Sequence, residues 1–249
     1  MKRIRWDVIL LFVSIICFLI YGIIETGNKA LEMNVINVRN RLQSLGSSKE
    51  LDNVDLEYTS PYVNQFEANK DMIAWISIPN TNIDYPIMQT LEDEEYYLYR
   101  DFFGNDDKNG TLFMDTDCQF DKINPNLIIH GHHMKSGAMF GNLPLFMEEK
   151  YGKEHSKIYL YTKEEKREYE IVSVFRTKIY DNESDKFILY NYVSLDSEEK
   201  FNEFYNNIKE QSIYDTNVNV EYGDEFITLS TCSYHTKNGR MVVIAKRIV

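Results

Sequence analysis

From residue 74 onward the chain is a succession of short apolar runs cut by turn residues, and this pattern restricts the fold more than any other feature. Residues 74–78 (Ala-Trp-Ile-Ser-Ile) read as a strand, residues 79–82 (Pro-Asn-Thr-Asn) as a turn and residues 83–88 as a second strand. Further strands are expected over 111–114, 127–129, 157–162, 168–178, 226–231 and 241–248, with residues 163–166 forming a hairpin turn. Residues 94–102 are tyrosine-rich and read as a short helical turn. Asp196-Ser197-Glu198-Glu199 has the acidic first turn of a helix start, and Phe201, Phe204, Tyr205 and Ile208 then form an apolar face. Many short strands with helices inserted between them predict a mostly β fold with peripheral helices, closed as a barrel.

The first seventy residues are different in kind. Lys2, Arg3 and Arg5 precede an uncharged apolar run over 8–24, which spans about 26 Å as a helix. Trp6 and Tyr21 stand near its ends, as interfacial aromatics would. A cleaved signal peptide is the competing reading, but Ile23-Ile24-Glu25 stands where a small-residue cleavage site belongs. The expectation is a basic cytoplasmic tail over 1–7 and a single-pass membrane anchor over 8–24. A helical segment over 25–70 and a barrel domain over 71–249 would then lie outside. Within that helical segment Leu31, Val35, Val38, Leu42 and Leu45 recur at helical spacing, up to Gly46-Ser47-Ser48. Ser60-Pro61 reads as the start of a second short helix running to about Asn69.

Hydrophobic residues make up 43% of the chain, enough for a buried core, and the net charge of -12 argues against nucleic acid as a partner. The three cysteines are Cys17, Cys118 and Cys232. Cys17 lies in the apolar run, so one disulfide at most, Cys118 to Cys232, is open to the rest, and no zinc-type spacing is present.

Cys232 ends the run Thr228-Leu229-Ser230-Thr231-Cys232, at the point where a strand gives way to a polar loop. Gly239-Arg240 then opens the last strand. A thiol at a strand end with a cation facing it is a candidate nucleophile, because the charge favours thiolate and an oxyanion. The imidazole such a thiol needs is available in Ile129-His130-Gly131-His132-His133-Met134. His130, His132 and His133 also invite a metallohydrolase reading, but no third-ligand motif accompanies them. If the strand continued through them, His130 and His132 would share a face and His133 would point away.

The motifs Gly131-His132-His133-Met134, Thr228-Leu229-Ser230-Thr231-Cys232 and Gly239-Arg240-Met241-Val242, in that order, resemble the sortase family, and most closely its class B. The likeness covers residues 60–249 and includes residues 75–88 and 110–115. The resemblance implies an eight-stranded sortase-like β-barrel with N-terminal helices and a long helix before the cysteine strand. It implies a membrane-anchored cysteine transpeptidase of a Gram-positive bacterium, needing no cofactor and no metal. Carried over by motif, Cys232 is the nucleophile, His132 the general acid/base and Arg240 the oxyanion group. Ser230, Thr231 and Leu98 would line the groove for the sorting peptide. Two positions depart from the class B pattern: His130 stands where Tyr is frequent, and Ser233 where an acidic residue follows the cysteine. Both bear on peptide selectivity. The implied partners are surface proteins carrying a sorting signal, and an amine acceptor from peptidoglycan or a pilin lysine. A non-catalytic surface-binding or scaffold protein is the reading outside enzymology.

Overall fold

The computed structural model describes residues 6–46, 58–122, 125–179 and 186–249, with side chains from Ile15 onward. The basic residues 2–5 and Ser47-Ser48 of the expected helix end lie outside these ranges.

Eight strands close into a barrel in the order β1-β2-β3-β4-β7-β8-β6-β5. They are β1 Met72–Ser77, β2 Asp84–Met88, β3 Leu112–Met114, β4 Asn126–His130, β5 Lys157–Tyr161, β6 Lys166–Lys178, β7 Phe226–Cys232 and β8 Gly239–Arg247. The β2/β3 and β4/β7 pairs are parallel and the others antiparallel. Closure leaves no free sheet edge, which is how an all-β chain avoids edge-to-edge association.

Alternation divides β8 between two cores. On β8, Met241, Val243 and Ala245 fill the barrel, whereas Val242 and Ile244 face outward. That outer surface is covered by the helix Glu198–Gln211, through Phe201, Phe204 and Ile208. The helix begins as its sequence dictates: the Ser197 side chain accepts from the Lys200 N–H at 3.2 Å. Two register shifts invert the alternation. One lies between Met72 and Ala74 on β1 and the other between Ile171 and Ser173 on β6. Across the second, the inward series passes from Tyr169 and Ile171 to Val174.

The N-terminal helix α1 runs unbroken over Trp6–Ser44. Its predicted stripe is its inner side: Leu31, Val35, Val38 and Leu45 are half-buried and Leu42 is buried. The second helix, α2, spans Val63–Ala68, so it starts later than Ser60-Pro61 implied. Its Asn64 and Gln65 amides donate to the carbonyls of Leu45 (2.7 Å) and Leu42 (3.0 Å), satisfying the open C-terminal end of α1.

The expected membrane anchor requires correction. Among the described residues no helix is long and apolar enough to cross a membrane. The apolar run over 8–24 is shorter than the roughly 20 residues that a span needs. It continues without interruption into Glu25, Lys29 and Glu32. Lys29 and Glu25 pair at 3.1 Å within that same helix. The single-pass anchor over 8–24 is therefore not supported, and the orientation inferred from it loses its basis.

Candidate functional site

The site is assembled where β4, β7 and β8 end side by side. Cys232 closes β7 directly opposite Arg240 of β8, and Ser230 lies opposite Val242. Residues directly opposite in an antiparallel pair project to the same face, so Cys232, Ser230 and Arg240 share one side of the sheet. On the far flank, His130 at the end of β4 pairs with Ser230. Cys232 and Arg240 are both half-buried, reachable yet partly screened from water.

Beyond β4 the chain stays fastened to β7. The Gly131 N–H donates to the Ser230 carbonyl (3.2 Å), and the Thr231 hydroxyl donates to the Gly131 carbonyl (2.7 Å). A side chain at residue 131 would not fit, since its Cβ would lie 2.4 Å from Leu112 Cδ2 and 2.8 Å from Phe140 Cδ2. This attachment carries the 131–133 loop along the end of the cysteine strand.

His132 Nε2 lies 2.8 Å from the Leu98 carbonyl oxygen. A carbonyl only accepts, so Nε2 carries the proton and Nδ1 keeps its lone pair. The Leu98 carbonyl is itself set by Gly110, whose φ is +62° and whose added Cβ would lie 2.3 Å from that oxygen. Tyr99 packs against the His132 ring at 5.4 Å. Leu98 thus contributes its backbone to the site.

Two other expected groove residues turn out to be structural. Thr231 is 2% exposed because its hydroxyl is turned into the β4 loop, so it lines no open groove. Ser233 is buried as well, with its hydroxyl on His235 Nδ1 at 2.9 Å and its N–H on the Gly239 carbonyl at 2.9 Å. Ser230 does face the site but is roofed over by Tyr190, whose hydroxyl lies 2.8 Å from Ser230 Oγ.

Tyr190 went unnoticed in the sequence. It sits in a single helical turn, Leu189–Asn191, with no motif to mark it. Burial pushes its phenol above the ordinary value, while hydrogen bonds to Ser230 and Arg240 pull the other way. Tyr190 therefore ties Arg240 to the centre of the site.

His130 lies between the rings of Phe113 (5.3 Å) and Tyr190 (5.6 Å). Its Nε2 faces Asp115 Oδ2 at 3.5 Å, an ion-pair distance but long for a hydrogen bond. Burial alone would raise the Asp115 carboxyl, yet His130 and the Asp117 N–H hold it below the usual carboxylate value. Among the described residues the metal-type donors that converge are Glu94, Asp115 and His130. The three histidines do not converge, because His132 and His133 each turn a ring nitrogen to a backbone carbonyl. Nor does His133 point away from the cysteine. Since β4 stops at His130, alternation no longer governs it, and its Nδ1 lies 2.9 Å from the Cys232 carbonyl.

All three cysteines are free. Cys118 is fully buried; its thiol donates to the Asn126 carbonyl (3.3 Å) and accepts from the Ile128 N–H (3.2 Å). Burial pushes its thiol up to about 12, so it is a packing group in the barrel wall.

The family model for the Sortase domain matches residues 76–248. The chain is 29% identical over 253 residues to sortase B of Staphylococcus aureus, covering 100% of this chain and 98% of that one. It is 33% identical over 184 residues to sortase B of Listeria monocytogenes, covering 72% and 71%. A solved Staphylococcus aureus sortase B–substrate complex superimposes with a TM-score of 0.68 at 26% identity, over 90% of this chain and 94% of that one. Barrel topology, site geometry and these likenesses agree that the chain belongs to the sortase family of cysteine transpeptidases, on its class B branch.

Proposed function

We propose that this chain cleaves a C-terminal sorting signal after a threonine and transfers the new carboxyl end to an amine. The observation that carries the reading is the rung pairing Cys232 with Arg240, beside a loop that bears His132. As the Cys232 thiol attacks the threonine carbonyl carbon its proton passes to Nδ1 of His132, and Arg240 stabilises the oxyanion that forms. The carbon–nitrogen bond then breaks, and His132 gives its proton to the departing amine. In the second half an acceptor amine attacks the thioester, neutral His132 takes its proton and the thiolate leaves. The tautomer derived above supports this role, because Nδ1 of His132 has a free lone pair.

The substrates proposed are surface proteins bearing a sorting signal. The acceptor is a peptidoglycan amine or a pilin lysine. The Staphylococcus aureus relative solved as a substrate complex supports substrate binding by this fold. Leu98, Ser230, Tyr190 and His130 would meet the peptide beside Cys232, with Thr231 and Ser233 acting from behind.

The test is incubation with a panel of sorting peptides and amine acceptors, followed by mass spectrometry. A thioacyl adduct on Cys232 and a transfer product are expected, and both should vanish in Cys232→Ala. Peptide cleavage that survives Cys232→Ala would sink the mechanism.

A further inference from the structure

The parallel β4/β7 ladder has its last rung at His130 and Ser230, and the Gly131 N–H still reaches the Ser230 carbonyl beyond it. In an evenly spaced parallel ladder the next carbonyl due a donor is that of Cys232, two residues along β7, and the donor due is the N–H of residue 133. The chain leaves that line first. The Phe140 N–H donates to the His132 carbonyl at 3.1 Å, and residues 133 and 139 form an isolated bridge across their own loop. The Cys232 carbonyl instead meets the His133 side chain, Nδ1 to oxygen at 2.9 Å. Because a carbonyl only accepts, Nδ1 carries the proton. The ring is held from the other side by Tyr234, stacked at 5.4 Å and 26°.

We propose that His133 is a positioning residue that completes the ladder at the nucleophile. Its imidazole fixes the carbonyl of Cys232, and with it the direction in which Sγ leaves the backbone. It touches neither substrate nor transferred proton, a division of labour between adjacent histidines: His132 handles protons and His133 holds the thiol in place. The inference rests on reading Cys232 as the nucleophile.

The experiment compares His133→Ala, which removes the donor, with His133→Asn, whose side-chain amide keeps one near the position of Nδ1. Peptide transfer and alkylation of Cys232 by a methanethiosulfonate are both measured on the full chain. Loss of the donor is expected to lower kcat by about ten- to a hundredfold, the cost of a reacting group held about an ångström out of place, with KM within about twofold. His133→Asn should recover kcat to within about threefold of the parent. Alkylation in neutral buffer should slow in His133→Ala and recover in His133→Asn. A parental kcat in His133→Ala overturns the proposal. So does His133→Asn impaired as deeply as His133→Ala, which would give the imidazole itself a chemical role. If instead the parent transfers no peptide, the transpeptidase reading fails by itself, and the alkylation rates still decide whether His133 positions the thiol.

Discussion

Cys232 and Arg240 face each other across the last rung of the β7–β8 ladder. Neither is carried on a mobile connection, because the rung is closed by the Ser233 N–H on the Gly239 carbonyl at 2.9 Å. The guanidinium is held as well. Its Nη1 donates to the Gly239 carbonyl at 3.0 Å, and its charge acts on the Tyr190 phenol beside it. A cation restrained in this way needs no reorganisation when negative charge develops beside the thiol.

Arg240→Ala is therefore expected to lower kcat by about a hundredfold or more while KM changes little, the signature of lost transition-state stabilisation. Arg240→Lys should recover only a small part, since a point charge on a flexible stem cannot reproduce the planar guanidinium held by the Gly239 carbonyl. Steady-state kinetics of peptide transfer separate the two parameters. An Arg240→Ala chain whose KM rises while kcat holds would make Arg240 a binding group only.

Tyr190→Phe removes one hydroxyl from the link between Ser230 and Arg240. A buried partner left unsatisfied costs about 1–3 kcal/mol, so a fall in kcat/KM of roughly ten- to a hundredfold is expected. The same unsatisfied group also weakens the fold, so the melting temperature should fall by a few degrees. Kinetics and a thermal melt on the same sample check this.

The two cysteines of the barrel should differ sharply toward alkylating reagents. Cys118 is fully buried, and with its thiol pushed up to about 12 almost none of it is thiolate near neutrality. Cys232 is half-buried at a strand end. Of these two, peptide mapping after brief treatment should find label on Cys232 and not on Cys118, and on both only after denaturation. Equal labelling of the native chain would contradict the buried position of Cys118.

Much of this architecture was legible in the sequence, and what escaped did so for physical reasons. Local periodicity marked the strands, the stripe on α1 and the Ser197 cap, because each depends on neighbours close along the chain. The register shifts at Met72/Ala74 and Ile171/Ser173 were invisible, since a bulge is chosen by the partner strand and leaves no fixed residue signature. Tyr190 and His133 escaped for a related reason: each acts through a contact made across the fold, 40 and 99 residues away in sequence. Strand parity turns Thr231, between Ser230 and Cys232, to the opposite face of β7, where its hydroxyl meets the Gly131 carbonyl. The run over 8–24, its basic flank and its interfacial aromatics are local features that do not weigh the charged continuation of the same helix.

Acid should expose the His130–Asp115 pair. The Asp115 carboxyl lies below its usual value in the folded chain, so the unfolded state binds its proton more readily. The sign follows: Asp115 contributes stability above its unfolded value of 3.8, and this contribution is lost as pH falls through the lower folded value. In Asp115→Asn that pH-dependent part disappears. The stability gap between parent and variant should be constant near neutrality and close in the acid limb below about pH 4. Denaturant titrations at a series of pH values measure the gap directly. A gap that widened as the pH fell would mean that Asp115 is stabilised by its proton, and would reverse the assignment of His130 as its partner.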